Sequence, residues 1–254
     1  MSRNERWEVG DRPFLDVRVP VGTVEIYVAD PGVVELLVDA ADENDFEIFK
    51  TGDRISVRHP SRWRMRGRSS RVVAHVPVGT DVEVSSASGE VRLIGRFGAV
   101  RLHSASGDIE VGDAARIDVT TASGALTCGA ISGDANISSV SGDCSLRLVG
   151  ARLEATLTSG ALRVEECDGD VAVGSTSGDV RIAQCRGSDI SVRSISGDVR
   201  VGLPSGIRVE AEVSTLSGRA SMPKPAPASD NRERRAVRLS LRTVSGDIRV
   251  ERTS

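Results

Sequence analysis

The chain has 254 residues and a mass of 26.9 kDa, with 33 basic and 36 acidic side chains giving a formal net charge of −3. That length allows one elongated domain or two compact ones, and the near-neutral balance supplies no strong field to recruit nucleic acid or an anionic membrane. The aromatics are 4 Phe, 2 Trp and 1 Tyr, and past Trp63 only Phe97 remains, so most of the chain must bury a thin, regular core of Val, Ile, Leu and Ala, which disfavours a large α/β enzyme.

Residues 1–12 are charged and read as an N-terminal tail. They lack the apolar run of a secretory signal, which points to a cytoplasmic protein. No apolar stretch reaches the roughly 18 residues of a membrane-spanning helix, so no membrane insertion is expected.

Residues 13–76 read as an N-terminal β cap. Apolar alternation predicts strands at Phe14 to Val19, Val24 to Val28, Val33 to Ala40, Phe46 to Lys50, Ile55 to His59 and Arg71 to Val76. Turn signals separate them at Pro20 to Thr23, at Asp30 to Gly32 and at Thr51 to Asp53. A cap is needed because the open end of a repeat stack is an exposed sheet edge.

Residues 77–222 are repetitive. Ser-Gly recurs at Ser88, Ser106, Ser123, Ser141, Ser159, Ser177, Ser196, Ser217 and Ser245, in steps of 18, 17, 18, 18, 18, 19, 21 and 28. The units read SASGEVRL, SASGDIEV, TASGALTC, SVSGDCSL, LTSGALRV, STSGDVRI, SISGDVRV, TLSGRASM and TVSGDIRV. Within each, apolar residues alternate with polar ones, as in Val180 and Ile182 around Arg181, so short strands lie inside a longer period. A weaker turn falls half a period later, near Ser132, Asp168 and Gly187. The serines read as structural turn residues: Gly permits the positive φ of a tight corner, and Ser and Asp can bond nearby amides.

Stacking places residues one period apart above one another. Ile131, Val149, Cys167 and Cys185 form one expected inward column. Ala87, Ala105, Ala122, Val140, Thr158, Thr176, Ile195, Leu216 and Val244, each just before a repeat serine, form a second expected inward column. Cys128, Cys144, Cys167 and Cys185 lack metal-ligand spacing and read as core residues. Residues 223–235 are rich in Pro and charge and read as a mobile loop, with closing C-terminal strands in 236–254, at Val237 to Leu241 and Ile248 to Val250. The fold class is all-β: a single-stranded, right-handed β-helix (β-solenoid) of about 18-residue coils, with an antiparallel β cap at the N-terminus.

Candidate chemistry is sparse. Arg62, Arg64, Arg66 and Arg68, followed by Arg71, form the densest basic cluster, and Arg163, Arg181 and Arg200 share one outward position on successive coils, with Arg92 and Arg249 at the same position elsewhere. These arginines are the candidate interaction surface, suited to an acidic partner. Asp108, Asp134, Asp143, Asp170, Asp179, Asp198 and Asp247 follow turn glycines, as in calcium-binding nonapeptide rolls. The doubled glycines are missing, and Ala125, Ala161 and Arg219 break the series, so no cofactor or metal is expected. His59, His75 and His103 share no local motif with an acid and a nucleophile, so no catalytic residues are assigned.

The S-x-S-G-D-[VI]-x-V repeats, the corners at Pro20 to Thr23 and Pro77 to Thr80, and the final TVSGDIRVE resemble a bacterial family of SGD-type β-strand-repeat domains of unassigned function, labelled putative adhesin. The resemblance covers about residues 13–252. It implies a β-solenoid without a catalytic site, and some relatives are surface-associated. The expected function is a non-catalytic scaffold or protein-interaction module, its partner an unknown protein or a further copy of itself, with no nucleic acid. The alternatives are a surface adhesin or carbohydrate-binding protein and, beyond that, a carbohydrate-active enzyme, which would need carboxylates clustered on one face.

Overall fold

The computed structural model describes residues 2–40, 46–59, 70–223 and 236–253. The described residues are strands and turns with no helix among them, and hence no helix long and apolar enough to cross a membrane. Arg62, Arg64, Arg66 and Arg68, and all of the expected 223–235 loop except Pro223, lie outside the described residues. The chain divides into two compact units, Met1–Gly129 and Ala130–Ser254.

The first unit contains β1 (Ser2–Glu8), β2 (Phe14–Val28), β3 (Val33–Asp39), β4 (Glu47–Thr51), β5 (Arg54–Arg58), β6 (Ser70–Val76), β7 (Asp81–Ser88), β8 (Val91–Ser106) and β9 (Ile109–Ser123), and β10 (Leu126–Ile131) crosses the boundary. β2 turns a corner at Gly22, where φ is +144°. Its first half runs parallel to β5 and β7, and its second half runs parallel to β6 and β8. The expected antiparallel cap therefore needs correction: residues 14–28, 54–58 and 70–76 are parallel coils, and among the described residues only β1, β3 and β4 pair antiparallel, with β3, β6 and β5. The reason is the inward alternation of Leu15, Val17 and Val19, then Val24 and Ile26, all 0–1% exposed, which matches the coils above without their Ser-Gly spacing. Residues 2–8, expected within a tail, form β1; its alternating charges cover the β3 edge.

The second unit contains β11 (Ala135–Ser141), β12 (Cys144–Val149), β13 (Leu153–Ser159), β14 (Leu162–Cys167), β15 (Val171–Ser177), β16 (Val180–Cys185), β17 (Asp189–Ser196), β18 (Val199–Pro204), β19 (Arg208–Ser217), β20 (Ala220–Ser221), β21 (Ala236–Ser245) and β22 (Ile248–Thr253). These form two parallel stacks, β11-β13-β15-β17-β21-β19 and β12-β14-β16-β18-β22-β20. Leu153 pairs with Val171, and Val171 with Ile190. Every coil except the last thus finds its backbone partners in its neighbours, and the interior needs only a thin apolar layer.

The stacking order departs from chain order at the far end. The last coil in sequence, β21 and β22, lies between β17/β18 and β19/β20, so the closing strands are β19 and β20 rather than the chain terminus. Composition explains the exchange. Val237, Leu239 and Leu241 of β21 are buried, whereas the paired Val209, Ala211 and Val213 of β19 are half-buried or exposed, the last two smaller than their partners. The richer apolar set takes the doubly covered place.

Of the two expected inward columns, Ile131, Val149, Cys167 and Cys185 are all fully buried. The other points outward: Val140 is 54%, Ile195 55%, Val244 47% and Leu216 85% exposed. Strand alternation gives the inward place to the residue one earlier, the first hydroxyl of S-x-S-G, so that Ser139, Ser175, Ser194 and Thr243 are buried instead.

Candidate functional site: an arginine ladder beside an interrupted aspartate ladder

The site is built from the repeat S-x-S-G-D-x-R. At some corners the first hydroxyl bonds the corner from inside: Thr243 Oγ1 donates to the Ser245 carbonyl at 3.2 Å, and Ser104 Oγ to that of Ser106 at 3.2 Å, whereas the buried hydroxyls of Ser86, Ser139 and Ser194 make no such bond. The repeat serines stack in register, Ser141 on Ser159, Ser177, Ser196, Ser245 and Ser217 in the second unit, and Ser88 on Ser106 in the first. Ser106 Oγ donates to the Ala87 carbonyl at 3.3 Å and Ser123 Oγ to that of Ala105 at 3.4 Å, so these two link neighbouring coils. Glycine follows because the corner φ is positive, +130° at Gly178, and because a Cβ there would lie 2.0 Å from the Gly160 carbonyl oxygen below.

The aspartate comes next, and it bonds across coils rather than within its own turn. Asp143 Oδ1 accepts from the Ala161 amide at 2.9 Å, Asp179 Oδ1 from the Asp198 amide at 2.9 Å, Asp198 Oδ1 from the Asp247 amide at 2.9 Å, and Asp247 Oδ1 from the Arg219 amide at 2.8 Å. In the first unit Asp108 does the same to the Ala125 amide at 2.9 Å. At the opposite corner Asp170 Oδ1 accepts from Ser188 at 2.9 Å and Asp189 at 3.0 Å. Bonds from the Ala161 amide, then from Arg163, hold the Asp143 carboxyl below the usual carboxylate range; bonds from the Asp189 and Ser188 amides do so for Asp170.

Two residues beyond each corner the side chain points outward. Arg163 pairs in register with Arg181, Arg181 with Arg200, and Arg200 with Arg249. Adjacent strands put these cations about 4.8 Å apart at the backbone. The reordered last coil brings Arg249, 49 residues from Arg200, into the ladder as its immediate neighbour. Arg163 Nη1 meets Asp143 Oδ2 at 2.9 Å and Arg200 Nη2 meets Asp198 Oδ2 at 3.3 Å, both exposed. Among the described residues Arg181 has no carboxylate within 4.0 Å, because the place Asp143 takes beside Arg163 is Ala161 one coil on. A pocket of about 190 Å³ opens there, lined by Ala161, Leu162, Arg163, Asp179, Arg181 and Arg200, with Val180 and Asp198 completing it.

Arg92, assigned to the same outward position, lies in the first unit between Glu25 and Glu110 and is neutralised by its ion pair with Glu90. Arg71 bonds Glu25 at 2.7 Å. Sequence reasoning missed a charge cluster: fully buried Asp16 accepts from Arg54 and Arg58 at 3.0 Å each and from Arg18 at 3.2 Å. Burial pushes its carboxyl up, but those three guanidiniums outweigh burial and hold it below its ordinary value. An acidic residue at an inward-neighbouring position between Leu15 and Val17 was the available signal. The histidines do not converge: His75 stacks on Tyr27 with centroids 5.5 Å apart, and His59 meets the edge of Phe46 at 5.3 Å.

The fold has solved relatives. A crystal structure of a putative adhesin from Bacteroides fragilis NCTC 9343 superposes with a TM-score of 0.53 at 13% identity, covering 98% of this chain and 97% of that one. A putative adhesin from Parabacteroides merdae ATCC 43184 matches over 100% and 96% at 10% identity, with a TM-score of 0.43, and a putative lipid binding protein from Parabacteroides distasonis ATCC 8503 over 98% and 96% at 12% identity, with a TM-score of 0.40. At 13% identity the likeness to the Bacteroides fragilis structure is one of fold. No curated protein matches the chain. The model of the Toastrack DUF4097 family, by contrast, matches residues 15–254, and the chain, with its parallel coils and corner ladders, belongs to that family.

Proposed function

We propose that this protein is a non-catalytic interaction module that binds an acidic partner along the arginine face of its second unit. The observation that carries the reading is the register of Arg163, Arg181, Arg200 and Arg249 on four adjacent strands. A parallel sheet holds such a row rigidly, so binding orders few backbone groups and the charges act together. The reading is supported by the employment of the corner aspartates, whose Oδ1 atoms are taken up by backbone amides. In the same reading the roughly 18-residue coils wind right-handed, the hand favoured by parallel strand connections.

A second reading, a surface adhesin, draws on the name given to the Bacteroides fragilis structure of the same fold.

The test is an array of acidic and neutral saccharides and peptides probed with the full chain and with a variant carrying Arg→Gln at 163, 181, 200 and 249. Binding to acidic members only, weakened by salt and lost in the variant, is the expected result. Binding untouched by the four substitutions, or cleavage of an array member, overturns it.

A further inference from the structure

The aspartate ladder of the second unit has one gap. The amides of Ala161, Asp198, Asp247 and Arg219 each donate to the aspartate of the adjacent coil. The Asp179 amide stacks on Ala161, which has no side-chain oxygen to offer. The gap leaves Arg181 without an acid partner and opens the pocket of about 190 Å³ in front of it.

The lining specifies the chemistry of an occupant. Arg163 is engaged by Asp143 at 2.9 Å and Arg200 by Asp198 at 3.3 Å, leaving Arg181 as the uncommitted cation. Asp179 and Asp198 line the same pocket, so a dianionic phosphate would face two carboxylates, whereas a single planar monoanion suits one guanidinium in bidentate geometry. Asp179 uses Oδ1 for the Asp198 amide, and its Oδ2 has no partner among the described residues. An exposed carboxylate oxygen accepts hydroxyl protons. The group that fits carries one carboxylate and neighbouring hydroxyls. The volume lies below the roughly 300 Å³ at which pockets enclose a whole drug-sized ligand, so it takes one unit of a longer molecule lying on the open face. Successive same-side side chains of an extended peptide are about 6.7 Å apart, out of step with arginines about 4.8 Å apart.

We propose that this pocket binds one uronic acid residue of an acidic saccharide, with Arg181 holding the sugar carboxylate and Asp179 accepting from its hydroxyls. This rests on the reading of the arginine face as a recognition surface and names its ligand.

The probe is a galacturonic acid oligomer titrated calorimetrically into the full chain, beside its methyl ester, a glutamate-rich peptide and inorganic phosphate. Two variants accompany it. Arg181→Gln removes the cation; Ala161→Asp restores the ladder, giving the Asp179 amide an acceptor and Arg181 a partner, so it melts no lower than the parent. The expected result is saturable binding of the free acid alone, weakened about tenfold or more in both variants. Equal affinity for the ester, the peptide or phosphate overturns the sugar assignment, as does undiminished binding in Ala161→Asp. If the oligomer fails to bind while acidic array members still require the four arginines, the uronate is wrong and the arginine face stands. If both fail, the face itself is wrong.

Discussion

Asp198 and Asp247 are 49 residues apart in the chain, yet the Asp247 amide donates to Asp198 Oδ1 at 2.9 Å as if it opened the very next coil. Asp198 also receives Arg200 at 3.3 Å, while its own amide donates to Asp179. Asp198→Ala leaves the Asp247 amide without that acceptor and is expected to cost about 1 kcal/mol. Asp198→Asn keeps the amide acceptor and recovers most of it. Urea unfolding of the two variants decides, and equal losses would show that the ion pair matters more than the ladder.

The order of the last coils makes a sharper forecast. Leu241 is fully buried whereas its neighbour Val213 is half-buried. Leu241→Ala is expected to cost about 2–4 kcal/mol, and Val213→Ala under about 1 kcal/mol. If the losses are equal, β19 has cover that this stacking order does not provide.

Two glycines of neighbouring segments have opposite fates. Gly178 combines a φ of +130° with a Cβ position 2.0 Å from the Gly160 carbonyl, whereas a Cβ at Gly174 meets nothing within 4 Å. Gly178→Ala should destabilise by about 2–4 kcal/mol or block folding, and Gly174→Ala should be neutral or stabilise by up to about 1 kcal/mol. Thermal melting of the pair checks this, with Gly174→Ala as the control that folds.

The carboxyl of Asp16 is held below its ordinary value, so its stabilisation is complete above the unfolded carboxylate range near pH 4 and is lost as pH falls through the lower folded value. Asp16→Asn should cost about 2–3 kcal/mol at pH 7, less than a fully enclosed pair because its arginines are half-exposed. Its stability should also change less than the parent's between pH 5 and pH 2, the range in which that charge is lost. Parallel acid limbs in urea unfolding would deny the three-arginine cluster its role.

All four cysteines are free and buried, and burial pushes the Cys144 thiol up to about 11. The thiolate is the reactive form. Because all four are enclosed, a thiol reagent at pH 8 should label no cysteine in the native protein and four after denaturation. Rapid labelling of the native chain would contradict the inward column of Cys167 and Cys185.

The repeat was legible because stacked coils impose it: Gly must recur where each corner meets the carbonyl below, and Val, Ile and Leu must recur where strands face inward. The basic position of Arg163, Arg181 and Arg200 could be read for the same reason. The column before each serine could not, since one residue of phase decides between inside and outside, and only packing shows that Ser139 and Ser194 face in while Val140 and Ile195 face out. The parallel coil made by β2 was hidden because its corner, at Gly22, does not carry the repeat.

The sequence by itself therefore determined the periodic, local features: an all-β chain with coil-forming strands, glycine corners and cysteines in the core, each a consequence of one coil lying on the next. Tertiary structure alone decided what depends on which coil lies on which. It placed β21 inside β19, brought Arg249 beside Arg200, and opened the pocket in front of Arg181. Periodicity fixes spacing along the chain, but the stacking order is chosen by how much apolar surface each coil can bury, a comparison between segments that no single segment contains.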